Sequence, residues 1–277
     1  MNIDGNTELI AHIGYPTHSF KSPLIYNPYF EQAGINALVV PMGCKAEHYP
    51  SFLTSVFQLT NIRGALITMP HKVTTMGLLD EVSATAKVAG ACNAVKRDAQ
   101  GRLVGDMFDG AGFVRGIQRK GFDLAGKRVM VVGTGGVGSA IAASLAAEKI
   151  SAIRLFDLNT ASCEGLAQRL VNEYPHIQAE TGSNDPDGCD LVVNATPMGM
   201  NEGDPLPMDV ARIAPEAFVG EVVMRTEMTA FLLAAQKRGC RVQVGSDMLF
   251  EQIPAYLEYF GFKTTTAEVL RNLARLG

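Results

Sequence analysis

The sequence has no tryptophan, no C-x-x-C pair, no apolar run of the roughly 18 residues that a membrane span needs, and no excess of positive charge. Its five cysteines are scattered along the chain, at Cys44, Cys92, Cys163, Cys189 and Cys240. This pattern predicts reduced thiols in a cytoplasmic protein and argues against a disulfide framework or a zinc site. The first residues lack the basic and apolar regions of a signal peptide, so secretion is not expected. With 24 Lys+Arg against 28 Asp+Glu, the net charge of −4 offers no general attraction to nucleic acid or to anionic membranes.

Histidine gives no sign of a metal centre. The five histidines lie far apart, at His12, His18, His48, His71 and His176. Because no H-x-x-x-H pair or histidine–carboxylate cluster is present, we predict that the protein holds no metal ion. We expect His71 at the surface; the alternative is that it lines a ligand cleft beside Lys72.

The chain does carry enough apolar material for a sizeable core. It has 277 residues, of which 47% are hydrophobic and 19% are charged. This low charge is not typical of a disordered chain. Because domains hold roughly 100–200 residues, the length predicts two domains.

Short apolar runs alternate with amphipathic stretches. The runs typical of strands are residues 11–15, 37–41, 65–69, 128–132, 152–156, 191–195, 218–223 and 241–244. The stretches with helical periodicity are residues 45–58, 137–148, 161–173 and 229–238. Such alternation is typical of βαβ units, and continuous apolar strands are typical of a parallel sheet covered on both faces. The pattern therefore predicts an α/β fold.

The alternation falls into two blocks. The first block has no phosphate-binding loop, the second carries a dinucleotide-binding pattern, and the chain after residue 245 is helical throughout. We therefore predict two α/β domains. Residues 1–108 plus 246–277 form a substrate-binding domain, and residues 109–245 form a Rossmann dinucleotide-binding domain. The C-terminal helices return to the first domain.

A glycine-rich turn is the sharpest local signal. It reads G-x-G-x-x-G between an apolar strand and an alanine-rich helix, and its residues are Gly133, Thr134, Gly135, Gly136, Val137 and Gly138. Gly133 permits the tight turn, Gly135 lets a pyrophosphate approach the backbone, and Gly138 allows close packing of helix and strand. The helix N-terminus adds free N–H groups and a positive dipole. The turn predicts a dinucleotide site; the alternative is a glycine-rich turn of an ordinary α/β protein.

An aspartate after the next strand indicates which dinucleotide binds. Asp157 lies 157 − 138 = 19 residues after the last glycine of the turn. A carboxylate there accepts hydrogen bonds from the ribose hydroxyls and repels a 2′-phosphate. The next three residues, 158–160, supply no arginine for such a phosphate. We therefore predict NAD rather than NADP; the alternative is that Asp157 caps a helix.

A lysine and an aspartate are the candidate catalytic residues. Lys72 follows Pro70 at the carboxyl end of a predicted strand, the edge at which open α/β sheets bind ligands. A lysine exchanges a proton with a reacting hydroxyl if its pKa is lowered or if a carboxylate orients it, and Asp109 is the candidate partner. The residues alone leave open a surface lysine and an aspartate that caps the following helix.

Six motifs in order resemble those of the shikimate dehydrogenase family. They are GYPTHSFKSP at 14–23, LITMPHK at 66–72, GACNA at 90–94, GDMFDGAG at 105–112, NATPMG at 194–199 and GSDMLFEQ at 245–252. The family patterns are G-N-P-x-x-x-S-x-S-P, N-V-T-x-P-x-K, G-A-x-N-T, G-x-N-T-D-x-x-G, N-A-T-x-x-G and G-x-x-M-L-x-x-Q. The likeness covers nearly the whole chain.

The resemblance implies an oxidoreductase that interconverts 3-dehydroshikimate and shikimate with a nicotinamide coenzyme. It implies that Lys72 transfers the proton and that Asp109 orients Lys72 and binds a substrate hydroxyl. The substrate-binding residues that it implies are Ser22 for the carboxylate, and Thr68, Asn93 and Gln252 for carboxylate or hydroxyl groups. Beside the glycine-rich turn and Asp157, it assigns to the coenzyme Thr196, Val222, Gly245 and Met248.

The motifs depart from the family where polar side chains are expected. Apolar residues replace serine, asparagine, threonine and tyrosine, at Phe20, Leu66, Met107, Phe108 and Met224. Each hydrogen bond lost to a buried polar substrate costs about 1–3 kcal/mol where a partner stays unsatisfied. The departures resemble divergent shikimate/quinate dehydrogenase-like branches. Asp157 fits an NAD-preferring branch, because biosynthetic members commonly carry Asn-Arg-Thr there and use NADP.

Three functions therefore stay open. The first is a dehydrogenase of shikimate or of a close cyclic polyol carboxylate such as quinate. The second is a dehydrogenase of a different hydroxylated substrate, and the third is a non-catalytic NAD-binding regulatory protein. The expected partner is a small cyclic hydroxy acid, with no nucleic acid and no membrane, and the expected state is a monomer or a homodimer.

Overall fold

The computed structural model describes residues 3–276, and the chain divides into two compact units. The first unit contains the chain up to Ala86, then Gly90–Phe108, and the chain from Ile253 onward. The second contains Lys87–Ala89 and Asp109–Gln252. Each unit is built on its own six-stranded sheet.

Strands and helices alternate along the chain. The strands are β1 (Glu8–Gly14), β2 (Ala37–Gly43), β3 (Ile62–Ile67), β4 (Glu81–Val82), β5 (Ala94–Arg97), β6 (Leu103–Asp106), β7 (Arg128–Val132), β8 (Ala152–Phe156), β9 (Gln178–Thr181), β10 (Leu191–Asn194), β11 (Phe218–Glu221) and β12 (Arg241–Gln243). The helices are α1 (Ser22–Ala33), α2 (Tyr49–Val56), α3 (Lys72–Thr75), α4 (Ala84–Ala89), α5 (Asp109–Arg119), α6 (Gly136–Ala147), α7 (Thr160–Glu173), α8 (Ala230–Lys237), α9 (Gly245–Phe260) and α10 (Ala267–Leu273). The predicted α/β fold is confirmed.

The sheet of the first unit is mixed. Its order is β2-β1-β3-β5-β6-β4, with β1, β2 and β3 parallel and β5 antiparallel to both β3 and β6. The expectation of a parallel sheet is therefore wrong for the β5–β6 hairpin. Its turn is closed by the Asp98 carboxylate, which accepts hydrogen bonds from the amides of Gln100 and Arg102, both at 2.9 Å.

The chain from Ile253 onward, which contains the end of α9 and all of α10, belongs to the first unit. Tyr29 in α1 donates its hydroxyl to the carbonyl of Lys263 at 2.7 Å. The amide of Arg275 donates to the carbonyl of Leu24 at 2.9 Å. These bonds attach the end of the chain to α1.

The sheet of the second unit is fully parallel, in the order β12-β11-β10-β7-β8-β9. Counted from β7, this is the Rossmann order 3-2-1-4-5-6 in reverse, with the topological switch point between β7 and β10. The predicted strands at 128–132 and 152–156 have the observed bounds. The edge strand β9 was not predicted, because its exposed polar residues give no apolar run.

The helices α5 and α6 of the second unit are in close contact at Gly110. A Cβ added at Gly110 in α5 would lie 2.1 Å from the carbonyl oxygen of Ala140 in α6. Backbone atoms cannot yield as a flexible side chain can, so the close packing of α5 on α6 requires glycine at this position.

We expect Gly110→Ala to lower the free energy of unfolding by about 2 kcal/mol, since it forces the two helices apart. Gly165→Ala is the matched control, because Gly165 also lies in a helix and its added Cβ meets only the end of the Arg169 side chain at 3.5 Å. The control should be neutral or stabilising by about 0.5 kcal/mol. Urea unfolding of both variants measures the effect, and equal stabilities would contradict the packing argument.

Candidate active site

The carboxyl ends of β1 and β3 lie side by side in the first unit. The amide of Tyr15 donates to the carbonyl of Met69 at 3.0 Å, and the amide of Thr68 donates to the carbonyl of Ile13 at 2.9 Å. Because β5 runs antiparallel to β3, the residue that precedes β5 lies at the same edge. The amide of Ile67 accordingly donates to the carbonyl of Asn93 at 2.9 Å. Thr68 and Asn93 are thus neighbours.

The side chain of Asn93 is buried and held by a hydrogen bond. It is 1% exposed, and its Oδ1 accepts a hydrogen bond from the amide of Phe108 at 2.9 Å. This hydrogen bond fixes the orientation of the Asn93 amide, whose Nδ2 is a hydrogen-bond donor.

Lys72 and Ser22 begin helices at this edge. Lys72 is half-buried and opens α3, and its carbonyl accepts a hydrogen bond from the amide of Cys92 at 2.9 Å. Ser22 is half-buried and opens α1, which follows the carboxyl end of β1. The structure therefore brings Ser22, Thr68, Lys72 and Asn93 to one edge of the first sheet.

The expectation of an exposed His71 is wrong. His71 is 1% exposed, and its ring stacks on that of Tyr49 with 3.9 Å between the centroids and 7° between the planes. Its Nε2 lies 2.8 Å from the carbonyl oxygen of Cys44. The bond from the His71 amide to the Thr68 carbonyl, at 3.0 Å, turns the chain so that the ring points inward. A single sequence does not show that the ring of Tyr49, which is distant in the chain, packs against His71 and stabilises its burial.

The glycine-rich turn lies at the carboxyl end of β7. Gly133 has φ +98°, in the left-handed region, and its amide donates to the carbonyl of Phe156 at 2.8 Å. A Cβ added at Gly138 would lie 1.9 Å from the carbonyl oxygen of Gly133, so the turn and the helix α6 can close on each other only through glycine.

The same turn leaves room on its outer side. A Cβ added at Gly135 or Gly136 meets no atom within 4 Å, and both residues are exposed. Gly135 is the N-cap of α6 and offers no side-chain cap, so the first amides of the helix face outward. Thr134 is buried, and Val137 is half-buried against the core of the unit. An open, uncapped helix N-terminus beside two bare glycines fits a pyrophosphate.

Asp157 directly follows β8 and is hydrogen-bonded to the glycine-rich turn. Its Oδ2 accepts the amide of Thr134 at 2.6 Å and the hydroxyl of Thr134 at 3.1 Å, and its Oδ1 accepts the amide of Asn159 at 2.9 Å. Burial opposes ionisation of Asp157, but these hydrogen bonds outweigh it and lower the pKa of the carboxyl below its ordinary value. The carboxylate stays charged at neutral pH, and Oδ1 keeps acceptor capacity for a ribose hydroxyl.

The other residues assigned to the coenzyme follow neighbouring strands of the same sheet. Thr196 comes after β10, Val222 directly follows β11, and Gly245 begins α9 after β12. Met248 lies in the first turn of α9, is 5% exposed and packs in the core of the unit. Because the strands are parallel, these positions share one edge with the glycine-rich turn.

Two further candidates of the second unit lie on helices. Asp109 opens α5 and is 8% exposed. Gln252 lies on α9, and its Oε1 is buried with no hydrogen-bond partner. A Cβ at Gly112 would lie 2.7 Å from the Cβ of Gln252, so glycine at this position lets α5 lie against the α9 backbone.

Sequence reasoning missed one ionisable group of this unit. Glu221 ends β11, pairs in register with Asn194 and is fully buried. Its Oε2 accepts the hydroxyl of Thr229 at 2.9 Å, while Oε1 has no partner. Burial raises the pKa of Glu221 to about 7, against smaller opposing effects of Thr229 and Asn194. A glutamate at the end of a strand gives no pattern that distinguishes it from an exposed one.

Four of the five apolar residues that replace polar motif residues lie in the first unit. Leu66 is 4% exposed, Met107 is 1% exposed, and the ring of Phe108 packs 4.9 Å from that of Tyr256. Phe20 is half-buried. Met224 of the second unit is 50% exposed.

Residues 3–276 contain no group of three or more His, Cys, Asp or Glu side chains that could hold a metal ion. In the same residues no helix combines the length and the apolar character required to cross a bilayer. All five cysteines are free and buried.

The Rossmann strand order and the open glycine-rich turn of the second unit are those of a dinucleotide-binding α/β protein. Residues 12–95 match the family model described as the shikimate dehydrogenase substrate binding domain. The chain is 32% identical over 257 residues to a protein of Rubrobacter xylanophilus named shikimate dehydrogenase (NADP(+)), covering 90% of this chain and 89% of the relative.

Two solved structures are similar over nearly the whole chain. Shikimate 5-dehydrogenase of Listeria monocytogenes in complex with shikimate and NAD has a TM-score of 0.91 and 26% identity, covering 99% of this chain and 98% of that one. Quinate dehydrogenase of Corynebacterium glutamicum in complex with NAD has a TM-score of 0.84 and 28% identity, covering 96% and 98%. The chain belongs to the shikimate dehydrogenase family and is an oxidoreductase that acts on a CH–OH group.

We expect Glu221→Gln to change how stability depends on pH. The folded protein holds the Glu221 proton up to about pH 7 and the unfolded chain only up to about 4.5, so this stabilisation is complete below pH 4.5 and is lost as the pH rises through 7. The stability of the wild type relative to Glu221→Gln should therefore fall by about 3 kcal/mol across this window.

Urea unfolding at a series of pH values measures this difference, and groups common to both proteins, such as His12, cancel in it. Glu216→Gln is the control at an exposed position of the same unit, and its difference from the wild type should be flat. A flat profile for Glu221→Gln as well would show that the carboxyl is not held protonated.

Proposed function

We propose that the chain is an NAD-preferring dehydrogenase that interconverts 3-dehydroshikimate and shikimate, or a close cyclic polyol carboxylate such as quinate. The observation that carries this proposal is the gathering of Ser22, Thr68, Lys72 and Asn93 at one sheet edge of the first unit. A polyhydroxylated carboxylate needs several polar groups at fixed positions, and hydroxyl, amino and amide side chains lie at this edge.

Lys72 carries the proton transfer in this proposal. When bound, the nicotinamide supplies the hydride acceptor or donor. In oxidation the neutral amine of Lys72 accepts the proton of the substrate hydroxyl and becomes an ammonium, and in reduction that ammonium returns the proton to the carbonyl oxygen. The role of Asp109 as the residue that orients Lys72 stays a prediction of the family resemblance.

The preference for NAD rests on Asp157. Its carboxylate is held charged by the amides of Thr134 and Asn159, at the position where an adenosine ribose lies in Rossmann domains. A 2′-phosphate there meets a like charge, and the neighbouring Leu158 is 85% exposed and offers no positive group. One relative is named for NADP(+) and two similar structures were solved in complex with NAD, so the proposed preference is supported by the local residues alone.

A dehydrogenase of a different hydroxylated substrate is the second candidate. Phe20, Leu66 and Phe108 favour it, because each places an apolar side chain where the motif has a polar one. Missing hydrogen bonds reduce discrimination for a carboxylate with several hydroxyls.

The proposal is tested by initial rates with shikimate, quinate and related hydroxy acids and either coenzyme. NADH formed from shikimate or quinate is expected. NADH formed only from hydroxy compounds without a carboxylate favours the second candidate. Binding of NAD without turnover of any compound favours a regulatory protein.

We expect Lys72→Met to lower kcat about a thousandfold, because it removes the proton-transferring group while keeping the length of the side chain. The dissociation constant for NAD, measured by calorimetry, should stay within about twofold. Lys45→Met, at an exposed lysine, is the control and should keep wild-type rates. A Lys72→Met enzyme with kcat near that of the wild type would exclude this role.

We expect the double variant Asp157→Asn/Leu158→Arg to shift the ratio of kcat/KM for NADP over NAD about a hundredfold toward NADP. It removes the repulsive carboxylate and adds a guanidinium for the 2′-phosphate. Asp123→Asn makes the same first change at an exposed site before β7 and should leave the ratio unchanged. An unshifted ratio in the double variant would show that Asp157 does not select the coenzyme.

A further inference from the structure

His12 is a buried polar side chain without a hydrogen bond. It lies in β1 and is 6% exposed, and neither ring nitrogen bonds to another residue of the described chain. Nδ1 is fully buried, which leaves Nε2 as the nitrogen through which the ring can reach a ligand. Buried polar groups in folded proteins are almost always paired, so an unpaired imidazole requires an explanation.

The position of His12 places it at the edge that gathers the substrate candidates. It lies two residues before Gly14, and alternate residues of a strand share a face. On that face a Cβ at Gly14 would lie 2.4 Å from Thr68 Cγ2 and 2.9 Å from Phe20 Cζ. The imidazole itself stacks on the Phe20 ring, with 4.1 Å between the centroids and 24° between the planes.

The positive charge of Lys72 acts on this ring. Burial, and after it the positive charge of Lys72, lower the pKa of His12 to about 4. The imidazole is therefore neutral at neutral pH and can donate or accept one hydrogen bond through Nε2.

His12 also adjoins two of the apolar departures from the family motifs. It stacks on Phe20, and it pairs in register with Leu66 on β3. Parallel strands in register present paired residues on the same face. One polar ring thus stands beside the two positions at which the motifs have serine and asparagine.

We propose that His12 is a substrate-binding residue whose neutral ring forms a hydrogen bond with an uncharged hydroxyl oxygen of the substrate, with Phe20 holding the ring in place. The inference rests on the proposed function and deepens it, since it assigns a hydroxyl rather than the carboxylate to this part of the site. A carboxylate favours cationic donors, whereas a neutral imidazole suits a hydroxyl.

His12→Leu should raise KM for shikimate about tenfold with NAD at saturation, because it removes the hydrogen bond and keeps an apolar side chain of similar volume. kcat should stay within about threefold, and KM for NAD should not change. His12→Gln carries its amide near the position of Nε2 and should recover most of the loss. His48→Leu, at an exposed histidine, is the control and should behave as wild type. An unchanged KM in His12→Leu overturns the inference.

The contact group is tested with methyl shikimate, as substrate or as inhibitor. A contact with a hydroxyl predicts that His12→Leu weakens binding of the ester and of shikimate by the same factor. An effect confined to free shikimate assigns His12 to the carboxylate and contradicts the proposal.

A measurement on the unmodified protein does not depend on how the variants fold. Long-range ¹H–¹⁵N spectra report the five histidine rings, and the His12 signals are those missing from His12→Gln. They should shift when shikimate is added with NAD, while those of His48 stay in place. Turnover of shikimate with unshifted His12 signals contradicts this inference alone, whereas absence of turnover with both shikimate and quinate contradicts the proposed function.

Discussion

The candidate site depends on one constraint, that parallel strands end at a common edge of their sheet. In the first unit β1 and β3 run parallel, and the bonds from Tyr15 to Met69 and from Thr68 to Ile13 hold their ends together. In the second unit all six strands are parallel, so the glycine-rich turn and the segments after β8, β10, β11 and β12 meet at one edge. The backbone of each sheet thereby makes neighbours of residues that are far apart in sequence.

The structural features that could be predicted from the sequence are those determined by local patterns. The bounds of β7 and β8, the turn that begins at Gly133 and the position of Asp157 follow from short-range rules, because each needs only its neighbours in sequence. The β5–β6 hairpin and the edge strand β9 were not predicted, because four-residue strands with charged or exposed side chains show no hydrophobic periodicity. The burial of His71 and Glu221 was not predicted either. It depends on partners such as Tyr49 and Thr229 that lie elsewhere in the chain.

The apolar departures from the family motifs and the surroundings of Asp157 both indicate ligand recognition that differs from the family pattern. Phe20 and Leu66 remove polar groups from the first unit, yet the edge keeps a lysine, a threonine and an asparagine. In the second unit Asp157 is ionised and tied to the turn, which matches a coenzyme without a 2′-phosphate. In the proposed function the first unit therefore keeps the lysine for proton transfer, while the residues proposed to contact both ligands differ from the family motifs.

The most direct measurement is a crystal structure of the protein with NAD and shikimate bound. The account predicts that the Asp157 carboxylate accepts hydrogen bonds from the adenosine ribose, that the pyrophosphate lies at the N-terminus of α6, and that Lys72 Nζ lies within hydrogen-bonding distance of the hydroxyl to be oxidised. A bound substrate whose reacting hydroxyl has no contact with Lys72 would contradict it.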